Sequence, residues 1–271
     1  MGKSRNGVTV VNWYDFPHYY DLAFRSETKR EVDFIEAVFR KHCSFRIRRL
    51  LEPACGSGRL VCAMAARGYH VTGLDLCGPA LDYLRRRLSR RGLKASLLQA
   101  DMADFRLPAP VEATFCTFNS FRHLLTEREA EAHLRCVARA LRPGGLYILG
   151  FHLMPRDATD SCVERWTARH GRLHLTVTLR VVDTDWRRRI ERVRVNLLAR
   201  TPTAQRRLRS DFPLRLYRAD QFRRLLAKVP ELQLREVYDF WYDIDDPVTF
   251  NDELADAVFI LQKTDRVRRG G

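Results

Sequence analysis

The sequence predicts an α/β protein with a doubly wound parallel sheet and an inserted antiparallel β segment. Short apolar runs alternate with helical periods over residues 27–152, and that alternation is typical of a parallel sheet covered by helices. A turn containing Gly56 and Gly58 joins one of these strands to a helix. Between 173 and 216 the pattern changes to an alternation of apolar and polar residues, which indicates antiparallel strands.

Each element is predicted from its own periodicity, because apolar residues repeat every three or four positions in helices and every second position in strands. The last two strands suit an antiparallel hairpin at the edge of the sheet. The helix that ends near residue 141 is followed by Arg142-Pro143-Gly144-Gly145, a stop and then a turn. Helices are predicted at 27–43, 58–67, 78–91, 127–141 and 218–228. Strands are predicted at 47–53, 69–75, 94–100, 112–118, 146–152, 232–240 and 256–263.

The insertion is predicted as three antiparallel strands, at 173–181, 193–197 and 208–216, with a turn around Asp183-Thr184-Asp185. Alternation implies one buried face, which must lie on the main domain or on a partner subunit. We therefore expect a lid over the substrate or a homodimer surface. The chain is accordingly divided into an N-terminal lid with the first helix (1–45), an α/β core (46–155), the inserted β segment (156–217), a C-terminal completion of the core sheet (218–265) and a basic tail (266–271).

The composition of the 271 residues, 45% hydrophobic and 30% charged, predicts a packed globular protein. No apolar run reaches the length of about 20 residues that a membrane helix needs, and residues 1–9 lack the apolar core of a secretion signal. We therefore expect a cytoplasmic protein with no membrane partner. The odd number of cysteines and the lack of a Cys-x-x-Cys pair predict reduced thiols and no metal site. The cysteines are Cys43, Cys55, Cys62, Cys77, Cys116, Cys136 and Cys162.

The formal net charge is +15, and 42 of the 48 basic residues are arginine. A basic balance favours nucleic acid as a partner. The alternative is an arginine bias spread over ordinary helix faces and turns, as at 85–91 on a predicted helix and at 187–189 in a predicted hairpin turn. No separate RNA-binding module is recognisable, so nucleic acid is the less favoured partner.

The stretch Leu50-Leu51-Glu52-Pro53-Ala54-Cys55-Gly56-Ser57-Gly58-Arg59 carries the strongest functional signal. Glycine lets the backbone come close to a ligand and adopt positive φ angles. Asp75 ends the next strand, 23 residues after Glu52, where a carboxylate can accept hydrogen bonds from a ribose diol. Together these residues predict a site for a nucleoside cofactor at the carboxyl edge of the sheet.

Five segments occur in a fixed order: Glu52–Arg59, Leu74-Asp75, Gln99–Met102, Phe118–Ser120 and Leu141–Gly145. The set resembles the class I S-adenosylmethionine-dependent methyltransferases, over about residues 20–263. A nicotinamide dehydrogenase would more often show Gly-x-Gly-x-x-Gly, whereas Val61 occupies the last position here. The resemblance implies a seven-stranded Rossmann-like methyltransferase sheet and S-adenosyl-L-methionine as the cofactor.

The resemblance also implies roles on the donor side. Backbone at the glycine turn approaches the methionyl part, and Glu52 orients that turn or the cofactor's ammonium. Asp75 takes the ribose hydroxyls, unless it is a solvated acid at a strand end, and Asp101 accepts from the adenine amino group, unless it is a turn acid. Ala54 replaces the usual first glycine. The implied cofactor-binding set is Tyr20, Glu52, Ala54, Cys55, Gly56, Gly58, Asp75, Leu76, Asp101, Met102 and Phe118.

On the acceptor side, the segment from Asn119 to Leu124 is similar to the Asn-Ser-x-x-His-Leu of glycine and amino-sugar N-methyltransferases. Tyr20, with Tyr19 as the alternative, resembles the tyrosine that reaches over the cofactor in those enzymes. The predicted catalytic residues are therefore His123 as a proton acceptor, Asn119 and Tyr20. The alternatives are that His123 is a buried, hydrogen-bonded histidine and that Asn119 caps a loop. Arg122 is either a solvated side chain or a ligand for a substrate carboxylate.

Two segments rich in aromatic residues each have two possible interpretations. Residues 238–247 mix aromatics with carboxylates and would lie on the ligand edge if the preceding strand is parallel; the alternative is a packed strand and a solvated turn. Trp13 and Tyr14 either line a lid or anchor the N-terminus.

The resemblance implies methyl transfer from S-adenosylmethionine to a small-molecule acceptor, with an amine nitrogen favoured. An RNA methyltransferase, a small-molecule O-methyltransferase and a cofactor-binding regulator remain the alternatives. The residues do not identify the acceptor or the oligomeric state.

Overall fold

The computed structural model describes residues 7–158 and 163–264. Cys162 and the predicted basic tail lie outside the described residues. Six helices are present: α1 Pro17–Phe24, α2 Thr28–His42, α3 Arg59–Ala66, α4 Gly78–Arg90, α5 Glu127–Ala140 and α6 Ala219–Ala227. The strands are β1 Val8–Val10, β2 Arg49–Pro53, β3 His70–Asp75, β4 Ser96–Gln99, β5 Val111–Cys116, β6 Leu141–His152, β7 Val163–His170, β8 Leu173–Asp185, β9 Ile190–Arg200, β10 Gln205–Arg215, β11 Leu232–Tyr238 and β12 Asp256–Lys263.

Seven strands form the main sheet in the order β11-β12-β6-β5-β2-β3-β4. Strand β12 pairs antiparallel with both β6 and β11, whereas the pairs from β6 to β4 are parallel. The Rossmann-like architecture predicted from the sequence is therefore confirmed, together with the antiparallel hairpin at its edge. Since β11 runs parallel to the central strands, the loop that follows it lies on the same edge as the glycine turn, as expected.

Helix ends follow the local sequence. At the start of α5, the Thr126 hydroxyl accepts from the Glu129 N–H while the Glu129 carboxylate accepts from the Thr126 N–H, a capping box. The apolar faces of the helices pack on the sheet, where β5 is buried along its whole length. The predicted stop at 142–145 is instead a bulge inside β6, with Gly144 at a φ of 73°. A bulge adds residues to one strand and leaves the pairing on either side intact.

The inserted segment forms a second sheet of five strands, in the order β1-β10-β9-β8-β7. Two of these strands were not predicted. Strand β7 is mostly exposed, so its sequence carries little apolar alternation, and β1 is three residues long and pairs in parallel with β10. The turn predicted at 183–185 was wrong, because β8 continues to Asp185 and the chain reverses over 186–189, where the arginine run had been predicted to form a hairpin turn.

The inner face of this sheet packs on the N-terminal segment. Leu175, Val177 and Val195 belong to one buried cluster with Trp13 and Tyr19. One face of the inserted sheet is therefore buried within the chain itself, against the N-terminal segment. No helix within residues 7–158 and 163–264 has the length and apolar character to cross a membrane, and the six described cysteines are free.

Arg122 joins the two sheets. Its guanidinium donates to Glu191 Oε1 at 2.6 Å and to the backbone oxygen of Arg215 at 2.9 Å, and both charged side chains are buried. Both sequence interpretations of Arg122 were wrong, because the side chain is neither solvated nor free to bind a substrate. The ion pair could not be predicted because Glu191, the partner of Arg122, lies 69 residues away in the inserted segment. The sequence does not show which residues of that segment face Arg122.

We expect acid to destabilise the protein through His133. Its ring is fully buried between the Met102 carbonyl (2.9 Å) and the Tyr147 hydroxyl (2.6 Å), and burial lowers its pKa to about 4. Between about pH 6.5 and pH 4 the unfolded chain then binds more protons than the folded chain. The free energy of unfolding therefore decreases as the pH is lowered through this window, by at most about 3 kcal/mol. Urea unfolding at pH 7 and 4.5 measures this loss.

The control for this prediction is His133→Gln, which removes the titrating group. The variant should be less stable than the parent at pH 7 and should lose less stability on acidification. An equal loss in parent and variant would show that other groups carry the acid sensitivity.

Candidate active site

The glycine turn connects β2 to α3 with an unusual run of positive φ angles. Ala54, Gly56 and Gly58 have φ values of 53°, 53° and 69°. A Cβ at Gly58 would overlap the Leu84 side chain, whereas the space beside Gly56 is open. The left-handed conformation costs about 1 kcal/mol at a residue other than glycine, so Ala54 keeps the backbone shape expected of glycine at some cost.

Asp75 links this turn to the end of β3. Its carboxylate accepts from the Gly56 N–H at 2.6 Å and from the Cys77 N–H at 2.8 Å. Burial raises the pKa of Asp75, and these backbone donors oppose the rise. The carboxylate thus lies at the carboxyl edge of the sheet and holds the glycine turn in place through the Gly56 N–H.

Glu52 contributes a buried carboxyl group to the site. It is 8% exposed, and its Oε2 atom has no hydrogen-bond partner among the described residues. Burial raises the pKa of Glu52 well above its ordinary value, although the Arg59 guanidinium opposes that rise. Arg59 itself forms an ion pair with the buried Glu31 at 2.6 Å. This oxygen is available to a hydrogen-bond donor of a ligand in the cavity, which Glu52 lines.

The remaining donor-side residues lie around the same opening. Asp101 accepts from the Ala103 N–H at 2.8 Å, so one of its oxygens is used within a turn. Leu76 is 69% exposed, which leaves it free to cover a flat ligand. The Met102 backbone oxygen is taken by His133.

One cavity of about 720 Å³ unites these residues. Ten of the eleven residues of the predicted cofactor set line it, and so do the predicted catalytic residues. The exception is Gly58, which packs against Leu84 and lies outside the lining. Its far wall comes from the inserted sheet, through Leu179, Phe212 and Leu214. The volume is within the usual range for small-molecule sites, about 300–1,000 Å³. The structure therefore brings together every predicted site residue except Gly58 around one cavity, and their individual roles stay predictions.

Comparison with known proteins shows which family this chain resembles in sequence. A family model for a methyltransferase domain matches residues 50–145. The chain is 30% identical over 186 residues to the dTDP-3-amino-3,6-dideoxy-alpha-D-glucopyranose N,N-dimethyltransferase of Streptomyces fradiae, covering 68% of this chain and 70% of that protein. It is 32% identical over 114 residues to the dTDP-3-amino-3,4,6-trideoxy-alpha-D-glucopyranose N,N-dimethyltransferase of Streptomyces venezuelae, covering 42% of this chain and 46% of that protein. The chain belongs to the S-adenosylmethionine-dependent methyltransferases.

Solved structures agree on the fold of this methyltransferase. DesVI of Streptomyces venezuelae superposes with a TM-score of 0.74 at 19% identity, over 94% of this chain and 99% of that one. CalS10 of Micromonospora echinaspora, an amino pentose methyltransferase solved with S-adenosylmethionine bound, superposes with a TM-score of 0.68 at 22% identity, over 89% of this chain and 92% of that one.

The residues of this methyltransferase fit S-adenosylmethionine. The unpaired Glu52 oxygen suits a positively charged amino group, and the open space beside Gly56 admits the methionyl chain. Asp75 has a carboxylate at the position where a ribose diol binds in such sheets. No grouping of three or more His, Cys, Asp or Glu side chains suited to a metal ion occurs within 7–158 and 163–264.

The acceptor side of the cavity contains a pair of polar side chains that the sequence did not predict. The Tyr14 hydroxyl lies 2.9 Å from His123 Nε2, and the His123 ring also contacts Phe212 of the inserted sheet. Burial, and secondarily Arg122, lower the pKa of His123 to about 4, while burial raises that of Tyr14. Both groups are therefore neutral at pH 7. Tyr14 had been noted only as a lid or anchor residue, because nothing local marks a contact across 109 positions.

Asn119 and Tyr20 also reach the cavity. Asn119 has a φ of 56°, and its Oδ1 accepts from the His152 N–H at 2.9 Å, so part of its amide caps the loop. The Tyr20 ring packs against Trp13 and Phe24, with centroids 5.0 Å and 4.8 Å away. Tyr19 stacks on Phe16 outside the cavity lining, whereas Tyr20 lines the cavity.

The aromatic and acidic loop after β11, residues 238–247, lies outside the cavity lining. Trp241 is 73% exposed, and none of residues 238–247 lines the cavity. Phe240 stacks against the cavity residue Phe118 with centroids 6.4 Å apart. The loop thus supports the cavity wall from outside.

Proposed function

We propose that this methyltransferase acts on the amine nitrogen of a small molecule. The observation that supports this function is the neutral Tyr14–His123 pair on an otherwise apolar acceptor wall. Relatives of this chain named as N,N-dimethyltransferases of amino sugars support the same acceptor atom. A neutral pair can hold an uncharged amine without adding a charge that would keep it protonated.

Bound S-adenosylmethionine supplies a methyl group that is already activated as a sulfonium. The chain's task is then to align the amine, and such positioning can supply several kcal/mol. With the imidazole proton on Nδ1, His123 Nε2 accepts from the Tyr14 hydroxyl. The Tyr14 oxygen keeps lone pairs that accept an amine N–H and direct the amine's own lone pair toward the donor.

His123 is a weak general base in this arrangement. A pKa of about 4 lies far from neutral pH, where general bases work best. We therefore propose that His123 orients Tyr14 and the amine, and that the proton leaves to water. The role of a proton acceptor at neutral pH, expected from the sequence, is less favourable for a buried imidazole.

We expect Tyr14→Phe to lower kcat/KM for an amine acceptor by about fivefold, since one hydrogen bond contributes roughly 1 kcal/mol. His123→Asn should give a similar loss, and the pH midpoint of kcat/KM should stay at the value set by the amine. The assay is methyl transfer to an amino-sugar glycoside from pH 6 to 9.

Tyr69→Phe serves as the control, because its hydroxyl bonds Glu36 away from the cavity. A midpoint that moves with His123→Asn would instead make His123 the base. Absence of transfer to amines, with transfer to alcohols, would favour the O-methyltransferase alternative.

The division of the chain into lid, core, insertion and C-terminal completion stays a proposal. It is supported by the contribution of Leu179, Phe212 and Leu214 to the cavity, which suits a lid. A homodimer and a cytoplasmic location likewise stay predictions.

One observation favours the RNA alternative. The outer face of the inserted sheet carries a row of arginines, since directly paired residues share a face. This face points away from the cavity, which argues against RNA as the methyl acceptor. RNA binding measured at 50 and 200 mM salt separates the two functions, because phosphate contacts are strongly salt-dependent. The arginines are Arg165, Arg169, Arg180, Arg194, Arg200, Arg207 and Arg209.

A further inference from the structure

The cavity wall is acidic although the chain is strongly basic. Five carboxylates line the cavity: Asp15, Glu52, Asp75, Asp101 and Glu129. Within residues 7–158 and 163–264, its basic lining side chains are Arg59 and His123. His123 is neutral at pH 7 because its pKa is about 4. The formal net charge is +15, yet five of the seven ionisable side chains named here are carboxylates. Three of the five, Glu52, Asp75 and Asp101, belong to the predicted donor side, and burial raises the pKa of Glu52 and Asp75.

The arginines at and behind the wall are already neutralised. Arg59 is paired with Glu31 at 2.6 Å, and Arg122 with Glu191 at 2.6 Å. Arg215 donates to the Leu125 carbonyl at 2.5 Å and lies 3.9 Å from Glu127. Arg59 and Arg122 are thus paired with the protein's own carboxylates. The Arg215 Nε has no partner among the described residues, but it is buried, and neither Arg122 nor Arg215 lines the cavity.

The acceptor side of the wall is otherwise apolar or neutral. Phe212 contacts both Tyr14 and His123. The same cavity is lined by the apolar side chains of Phe24, Phe118, Leu179 and Leu214. Proteins that recognise phosphate do so with arginine or lysine, or with free backbone N–H groups. A diphosphate placed against this wall would lose water without gaining a counter-charge, which is costly for a buried anion.

We infer that the acceptor is an amine whose scaffold carries no phosphate, so that it enters the cavity as a neutral or cationic molecule. This inference rests on the proposed amine N-methylation and specifies its substrate class. It separates this chain from relatives named for sugars carried on dTDP.

A matched pair of acceptors tests the inference: one 3-amino-3,6-dideoxyglucose supplied as its methyl glycoside and as its thymidine diphosphate ester. We expect kcat/KM for the glycoside to exceed that for the ester at least 100-fold. A preference for the ester would overturn the inference and leave the proposed N-methylation intact. If neither is methylated and a panel of other amines also fails, the proposed function fails instead.

A binding experiment does not depend on turnover. Thymidine diphosphate is titrated into the protein saturated with S-adenosylhomocysteine, and we expect no binding heat up to 1 mM. Binding at micromolar concentration would overturn the inference.

The variant Leu179→Arg adds a free guanidinium to the acceptor wall, and Leu179→Met is its matched control. We expect Leu179→Arg to bind thymidine diphosphate at least tenfold more tightly than the control, with S-adenosylhomocysteine affinity confirming an intact donor site. No gain in a variant that still binds S-adenosylhomocysteine would show that missing positive charge is not what excludes phosphate.

Discussion

Asp75→Ala is expected to weaken S-adenosylhomocysteine binding by at least about 100-fold. A hydrogen bond to a charged group contributes roughly 1.5–3 kcal/mol, and the Asp75 carboxylate is placed to accept two from a ribose diol. The loss should be larger because Asp75 also holds the glycine turn through the Gly56 N–H. Isothermal titration calorimetry of parent and variant measures the change in Kd.

Two variants separate ligand contact from support of the turn. Asp75→Asn keeps an oxygen for the Gly56 N–H but removes the charge, so its affinity should fall between those of parent and Asp75→Ala. Asp82→Ala, on the exposed side of α4, should leave affinity unchanged. Unaltered binding in Asp75→Ala would remove Asp75 from the cofactor site.

The second large effect is expected on stability. Arg122→Met should lower the free energy of unfolding by about 3–5 kcal/mol, because it leaves the Glu191 charge buried without a partner. Both side chains are less than 10% exposed, so water cannot take the place of the lost guanidinium. Urea unfolding at pH 7 gives the difference.

The double variant Arg122→Met/Glu191→Leu should recover much of that loss, because replacing both members of a buried pair by apolar residues is often tolerated. Arg85→Met, which breaks an exposed pair with Asp82, should cost less than about 1 kcal/mol. An Arg122→Met variant as stable as the Arg85 variant would contradict a role for the buried pair in joining the two sheets.

The donor half of the protein could be predicted because its signals are local. A buried parallel strand shows as a short apolar run, and a turn with positive φ angles requires glycine at Gly56 and Gly58. Asp75 follows its strand directly, so its position at the ligand edge needs no knowledge of distant residues. These patterns located the sheet, the turn and the cofactor class.

The acceptor half depends on contacts between distant parts of the chain. Tyr14 meets His123 across 109 positions, and Arg122 meets Glu191 across 69. Strand β7 is exposed and therefore lacks the apolar alternation that identified its neighbours. Register between such segments is decided by the packing of whole sheets, and no short sequence window contains that information.

The pairing of β1 with β10 has a consequence for how the enzyme is made. Residues 8–10 pair with 207–209, so the segment that carries Tyr14 must wait until most of the chain has been synthesised. Strands β2 to β6 end at His152, and domains generally fold in order of synthesis. The glycine turn and strands β2 to β6 are therefore synthesised well before β10, and the pairing that holds the Tyr14 segment against the inserted sheet can form only once β10 is available.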